Sequence, residues 1–393
     1  MNSKIINRWT VLISGIFIQT ILGGIYAWST FVPFLTDEYG LNRGQCGFIF
    51  GLTISIFTIA MIFAGRFMSN HGPRRTALTG GILFLSGYIL ASFSQGNYIM
   101  LLVAIGGLVG TGIGFGYVCP LSVGMKWFPY KKGLVTGVSV AGFGGGAIVL
   151  TSTAEYFLDH SLDVLEFFRY LGIVAGSLMI LATYFMMDPP EKENKKKTGF
   201  DYKDAKTLTF FIMFFGIFAG TFSGLLIVGN LSPIVIDSGY SKIFASAIIS
   251  LFALGNALGR VIWGHLFDKF HFKSIPMSLG IFLLTLILLL LPLPKIGFQI
   301  TTLLLGFCFG ACFVVYASSI TRFFGVDKFS GLYPLCFLGY GIAGLIGPGA
   351  GGFIDDKFGS YDISIYISIS LVFIAMIFST INMKTLQKTV SGE

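Results

Sequence analysis

The sequence predicts an all-α membrane protein with twelve transmembrane helices in two pseudo-symmetric six-helix halves. Three observations predict it. The 393 residues are 54% hydrophobic and only 11% charged, with a mean hydropathy of +0.82, whereas soluble domains carry roughly 25% charged residues. Twelve runs are long and apolar enough to cross a bilayer, each about 20 residues or more. Polar motifs in the first half recur in the second about 199 residues later. The composition excludes a soluble enzyme, a soluble binding domain and a disordered chain, because a water-soluble fold could not hide so much apolar surface.

Taken in order, the runs cover 9–35, 44–68, 76–94, 98–125, 133–158, 166–187, 207–236, 243–267, 274–292, 298–321, 331–354 and 362–383. The breaks between them are charged or rich in Pro, Gly and Asn. The first run is longer than a signal-peptide core and no small-x-small cleavage site follows it, so it reads as retained. Arg66, Arg74 and Arg75 follow span two; Lys126, Lys131 and Lys132 follow span four; Lys269 and Lys273 follow span eight; Arg322 and Lys328 follow span ten. With the central loop and the termini, twenty basic residues fall on this side of the membrane and five on the other. The positive-inside rule then places both termini in the cytoplasm. The net charge of +8 is mostly this bias and calls for no nucleic-acid partner.

The longest polar stretch, 188–206, lies near the midpoint and reads as a cytoplasmic linker between halves 1–187 and 207–393. Gly65 opens GRFMSNHGPRR after span two, and Gly264 opens GHLFDKFHFK after span eight. KWFPYKKGLVTGVSVAGFG after span four matches RFFGVDKFSGLYPLCFLGYG after span ten. A shared offset between such pairs marks internal duplication. Parallel six-span halves rocking about a midplane site are the architecture of a secondary transporter.

One charge lies where none is expected. Arg260 sits in ISLFALGNALGRVIWGHLF, eight residues before Asp268, or roughly 12 Å in from the helix end at the α-helical rise. It stays protonated, and its place in hydrocarbon costs at least ~2.5 kcal/mol. It is expected to face a wet cavity and to bind an anion through the planar fork that matches a carboxylate. Structural pairing with a distant acid, or snorkelling, is the bland alternative. Tyr26, Tyr117, Tyr316 and Tyr340 lie inside spans one, four, ten and eleven, away from the interface belts where tyrosine collects, and are candidate substrate contacts; with 42 Phe and 16 Tyr in the chain, plain packing is the competing account, and Trp28 is equally open. Pro33, Pro120, Pro233, Pro334 and Pro348, with Gly142–Gly146 and Gly347–Gly352, are expected to interrupt or end spans.

The five cysteines have no metal-ligand spacing and read as buried and inert. The four histidines lie in loops or at helix ends, so a membrane enzyme lacks its acid–base or metal parts. No cofactor is expected. A carrier, a transporter-like sensor and a channel remain open on the residues alone, and the carrier is expected to work as a monomer.

Gly65-x-x-x-Ser69-Asn70-x-Gly72-x-Arg74-Arg75 resembles the loop motif of major facilitator transporters, with Ser69 in place of the usual Asp. The second copy keeps Gly264, Asp268 and Lys269. YAWS at 26–29, HGPRR at 71–75, MKWFPYKKGLVTGVSVAGFG at 125–144 and GNALGR at 255–260 together resemble the oxalate/formate antiporter family, relatives of the eukaryotic monocarboxylate transporters. The resemblance runs through nearly the whole chain. It implies the major facilitator fold, a small carboxylate substrate, and a gating role for Gly65, Arg74, Arg75, Gly264, Asp268 and Lys269. It also implies that Arg260 is the family's span-eight carboxylate-binding arginine. The eukaryotic relatives have an acid one turn before that arginine, where this chain has Asn256, so a proton as coupling ion is in question. An oxalate-handling member has a second cation, a lysine in span eleven, where alignment on Gly341–Pro348 puts Tyr340. One fixed cation favours a monocarboxylate over a dianion; a dicarboxylate exchanger is the alternative.

Overall fold

The computed structural model describes residues 7–160, 162–190, 203–358 and 360–383. The middle of the expected linker, 191–202, lies outside the described residues. Each expected run is helical, and there is no strand among the described residues. The helices are α1 (Arg8–Gly23), α2 (Trp28–Tyr39), α3 (Arg43–His71), α4 (Pro73–Ser92), α5 (Tyr98–Leu101), α6 (Gly110–Trp127), α7 (Lys132–Asp159) and α8 (Val164–Thr183). They continue with α9 (Leu208–Gly229), α10 (Leu231–Asp237), α11 (Lys242–Phe270), α12 (Ser274–Leu289), α13 (Lys295–Phe324), α14 (Val326–Phe358) and α15 (Asp362–Ile381). Among the described residues, ten stretches satisfy a membrane-crossing length and hydropathy, and one of them, Ala247–Leu289, takes in most of α11 and all of α12.

Three spans are built from pieces. Span one is α1 and α2 joined by the 3-10 turn Gly24–Ala27. Span four is α5, a π-helical stretch Leu102–Val109, and α6. Span seven breaks at Asn230 between α9 and α10. Elsewhere the glycine runs do not interrupt helices: α7 continues through Gly142–Gly146 and α14 through Gly347–Gly352. A Cβ at Gly146 would collide with the Thr20 carbonyl of α1, and one at Gly23 with the Phe143 carbonyl of α7. The bare backbone lets neighbouring helices touch, as small residues do within membranes. Nor do most of the expected prolines end a helix: Pro33 lies within α2, Pro120 within α6, and Pro334 and Pro348 within α14.

The duplication is visible in the helix ends. α3 and α11 each have 29 residues and begin at Arg43 and Lys242. Asn42 caps α3 through the Gln45 amide, and Ser241 caps α11 through the Phe244 amide, each satisfying an N–H that the helix start leaves open. Left-handed residues recur at the same spacing: Gly40 and Gly239, Gly72 and His271. At the last position the second half carries a side chain where the first has glycine. A non-glycine residue at φ +53° is strained by about 1 kcal/mol or more. His271→Gly is therefore expected to stabilise the protein by about 1 kcal/mol, read as a higher melting temperature in detergent; an unchanged or lower value would refute the strain.

The described residues cluster into two compact units, one within Met1–Pro129 and Ser139–Gly199, the other within Tyr130–Val138 and Phe200–Glu393. The opening turns of α7 therefore go with the second unit. The described ends of the linker are each tied down locally. Lys126 bonds Asp188 at 2.8 Å in the first unit, and Lys328 bonds Asp204 at 2.8 Å in the second. Both pairs are partly exposed, so each contributes on the order of 1 kcal/mol or less.

Candidate functional site: a buried arginine and two aromatic clusters

In the second unit, α11 and α13 pack backbone to backbone. A Cβ at Gly255 or Gly259 would strike the carbonyls of Leu303 or Phe307, and one at Gly310 the Asn256 carbonyl. This close approach brings Arg260 of α11 onto Phe313 of α13. Arg260 is only 1% exposed. Its Nε donates to Asn256 Oδ1 at 3.1 Å, one helical turn earlier, and its guanidinium carbon lies 4.6 Å from the Phe313 ring centroid. A cation over a ring face is stabilised by the ring quadrupole, by about 2 kcal/mol when desolvated. Phe313 in turn meets Tyr340 of α14 edge-on at 5.2 Å, and Phe337 lies 5.0 Å from Tyr340. Tyr333 Oη donates to the Phe313 carbonyl at 3.3 Å, tying α14 to the same turn of α13.

Of the predicted residues, the structure thus groups Arg260, Asn256 and Tyr340 around one phenylalanine. Tyr316 points elsewhere: its hydroxyl lies against Gly216 of α9, where a Cβ would displace it, and is buried with no hydrogen-bond partner among the described residues. Phe313 and Phe337 were not singled out by sequence reasoning. Among 42 phenylalanines neither carries a signal of its own; only the approach of α11 to α13 selects Phe313.

The first unit holds a second aromatic cluster. Tyr26, in the turn between α1 and α2, meets Phe143 of α7 edge-on at 5.4 Å. Tyr117 of α6 meets the same Phe143 at 5.1 Å and Phe57 of α3 at 5.2 Å. Four spans therefore converge on four rings, with the two predicted tyrosines among them. Gln19 of α1 is fully buried and its Nε2 donates to the Tyr117 carbonyl at 3.2 Å, close to the break that Pro120 makes in the helix ladder. An amide inside an apolar run is a signal that sequence inspection could have used. Trp28 lies apart from this cluster: it stacks on Phe168 and donates Nε1–H to the Cys46 carbonyl at 2.9 Å.

The loop-motif residues are placed asymmetrically. Asp268, at the end of α11, accepts from the Gly133 amide at 2.8 Å and the Leu134 amide at 2.9 Å. These are first-turn amides of α7, which lack partners within their own helix, and a carboxylate there also complements the helix dipole. Gly264 permits the approach, since a Cβ on it would strike the Gly133 carbonyl. Ser69, at the matching place of the first copy, instead donates to the Gly65 carbonyl of its own helix at 2.9 Å. Arg74 lies 4.3 Å over the Tyr184 ring and Lys269 5.4 Å from the Phe270 ring. Arg75 is exposed.

The Major Facilitator Superfamily family model matches residues 12–296 and 213–391. The chain belongs to the Major Facilitator Superfamily. It is a multi-pass membrane protein of a transporter family rather than an enzyme family. This facilitator is 25% identical over 384 residues to the oxalate:formate antiporter of Oxalobacter formigenes, covering 95% of this chain and 91% of the relative. It is 25% identical over 448 residues to apicoplast pyruvate carrier 1 of Toxoplasma gondii, covering 84% and 81%. The crystal structure of the facilitator FucP in the outward conformation superposes with a TM-score of 0.72 at 16% identity, over 96% of this chain and 98% of that one. The last likeness concerns the fold alone.

Proposed function

We propose that this facilitator is a secondary transporter of small organic anions, monocarboxylates above all, that binds the substrate carboxylate with Arg260 and works by rocker-switch alternating access. The observation that carries the reading is the guanidinium itself, 1% exposed within a membrane span. Its Nε bonds Asn256, and its guanidinium carbon lies 4.6 Å from the centre of the Phe313 ring. A cation is kept in such a place at a cost, and binding a substrate anion gives that cost a use. Relatives named for oxalate, formate and pyruvate support the carboxylate class. Tyr340, which the family resemblance puts where an oxalate-handling member is expected to carry a second cation, supports a single negative charge on the substrate. Asn256, a neutral amide one turn from Arg260, favours exchange or uniport over proton symport. The distribution of Lys and Arg supports cytoplasmic termini, and the resemblance to the oxalate/formate antiporter family supports a cell's inner membrane.

The test is counterflow in proteoliposomes loaded with unlabelled formate, lactate, pyruvate or oxalate, with and without a pH gradient. Monocarboxylates are expected to exchange and oxalate to compete poorly; oxalate outcompeting every monocarboxylate would overturn the single-charge reading. Tyr340→Lys is expected to move preference toward dicarboxylates, because a second cation offsets the second charge. Unchanged preference in a folded variant would count against the placement of Tyr340.

A further inference from the structure

The first unit has a second feature that carries an inference, independent of the transport reading and resting only on the membrane location. A cavity of about 730 Å³ lies between α1, α7 and α8. Its lining runs along α7 from Gly146 to Phe157 and along α8 from Phe167 to Leu178, at steps of three and four residues. Each stripe is roughly 16 Å long at 1.5 Å per residue. One leaflet is about half of a 30 Å hydrocarbon core, so the groove is one leaflet deep, starting at the α7–α8 turn.

Its chemistry is almost wholly apolar. The hydroxyls of Thr20 and Thr153 are both spent on carbonyls of their own helices, at 3.0 and 2.7 Å. The remaining side-chain hydroxyl of the lining is that of Tyr170, which is 54% exposed; a single phenol does not supply the few placed polar groups that fix a polar solute, and an apolar hollow does not hold water. The groove is continuous with an exposed apolar face: Ile148 is 62% exposed and Ile173 46%. On a bilayer-crossing protein that face is bathed in lipid. An empty hollow there would forfeit dispersion contacts along its whole lining. We propose that the groove is a binding site for one acyl chain of a membrane phospholipid, in the leaflet on the α7–α8 loop side.

The test uses the full chain in phosphatidylethanolamine/phosphatidylglycerol vesicles doped with a phospholipid that carries a diazirine on its acyl chain. Photolabelled residues are mapped by mass spectrometry. Labelling is expected to concentrate severalfold in the peptides that hold Phe17, Phe157 and Leu178, relative to Leu284, an exposed apolar residue of α12. Ala175→Trp, which fills the groove, is expected to reduce that labelling severalfold and to leave Leu284 unchanged. Val174→Trp is the second variant should the first not fold. Even labelling over the apolar surface, or labelling that survives both substitutions, would overturn the site. So would cross-links through these residues to a second copy of the chain, which would make the groove a self-association surface. Retained transport in the filled variants leaves the proposed function standing whichever way the lipid result falls.

Discussion

Arg260→Ala is expected to abolish carboxylate uptake in proteoliposomes while leaving the helical content and the detergent elution profile unchanged. Truncating one partner of a buried charge-assisted pair costs about 2–5 kcal/mol, which corresponds to a loss of roughly thirty- to several-thousand-fold in affinity. Arg260→Lys keeps the charge but loses the planar fork, its Nε bond to Asn256 and its stacking on Phe313. Lysine and arginine are not interchangeable at stacked or bidentate sites, so this variant is expected to fall between wild type and Ala. Uptake by a folded Ala variant at near wild-type rate would remove Arg260 from the substrate site, and with it the carboxylate reading.

Asp268→Ala is expected to give the largest effect away from Arg260. It deprives the Gly133 and Leu134 amides of their acceptor and removes a negative charge from the start of α7. Loss of a capping side chain costs about 0.5–2 kcal/mol. In hydrogen exchange, amides 133 and 134 are expected to exchange about two- to thirtyfold faster, and in transport the turnover number is expected to change with little effect on substrate affinity. Asp268→Asn, which keeps one acceptor oxygen, is expected to lie between. Ser69→Ala is expected to do much less, because its hydroxyl is turned back on its own helix. Equal effects at the two matched positions would refute a functional asymmetry between them.

The span limits were legible because bilayer thickness and hydropathy are local along the chain: α3, α7, α11 and α15 begin within two residues of the expected limits. The duplication was legible for the same reason, and the matched caps Asn42 and Ser241 and the matched turns at Gly40 and Gly239 carry it into the backbone. Glycine runs were harder to read. Composition alone does not tell a helix break from a close contact, and within an unbroken α7 Gly142 and Gly146 proved to be the points where α1 comes close. The tyrosines divide likewise. Tyr340 joins the ring that carries Arg260, whereas Tyr316, three residues from Phe313 on the same helix, turns its hydroxyl to α9.

Hydropathy, the spacing of basic residues and the repeated motifs determined by themselves that this chain crosses a membrane many times in two like halves, and one misplaced arginine marked the place where an anion is proposed to bind. Each of those properties is a sum or a pattern along the chain. Only the tertiary structure decided that Phe313 is the shelf under Arg260, that Asp268 caps the start of α7, and that Gln19 braces Tyr117. Those pairings depend on which helices approach to backbone contact. Glycines tens of residues apart in sequence set that approach, and no local pattern records it.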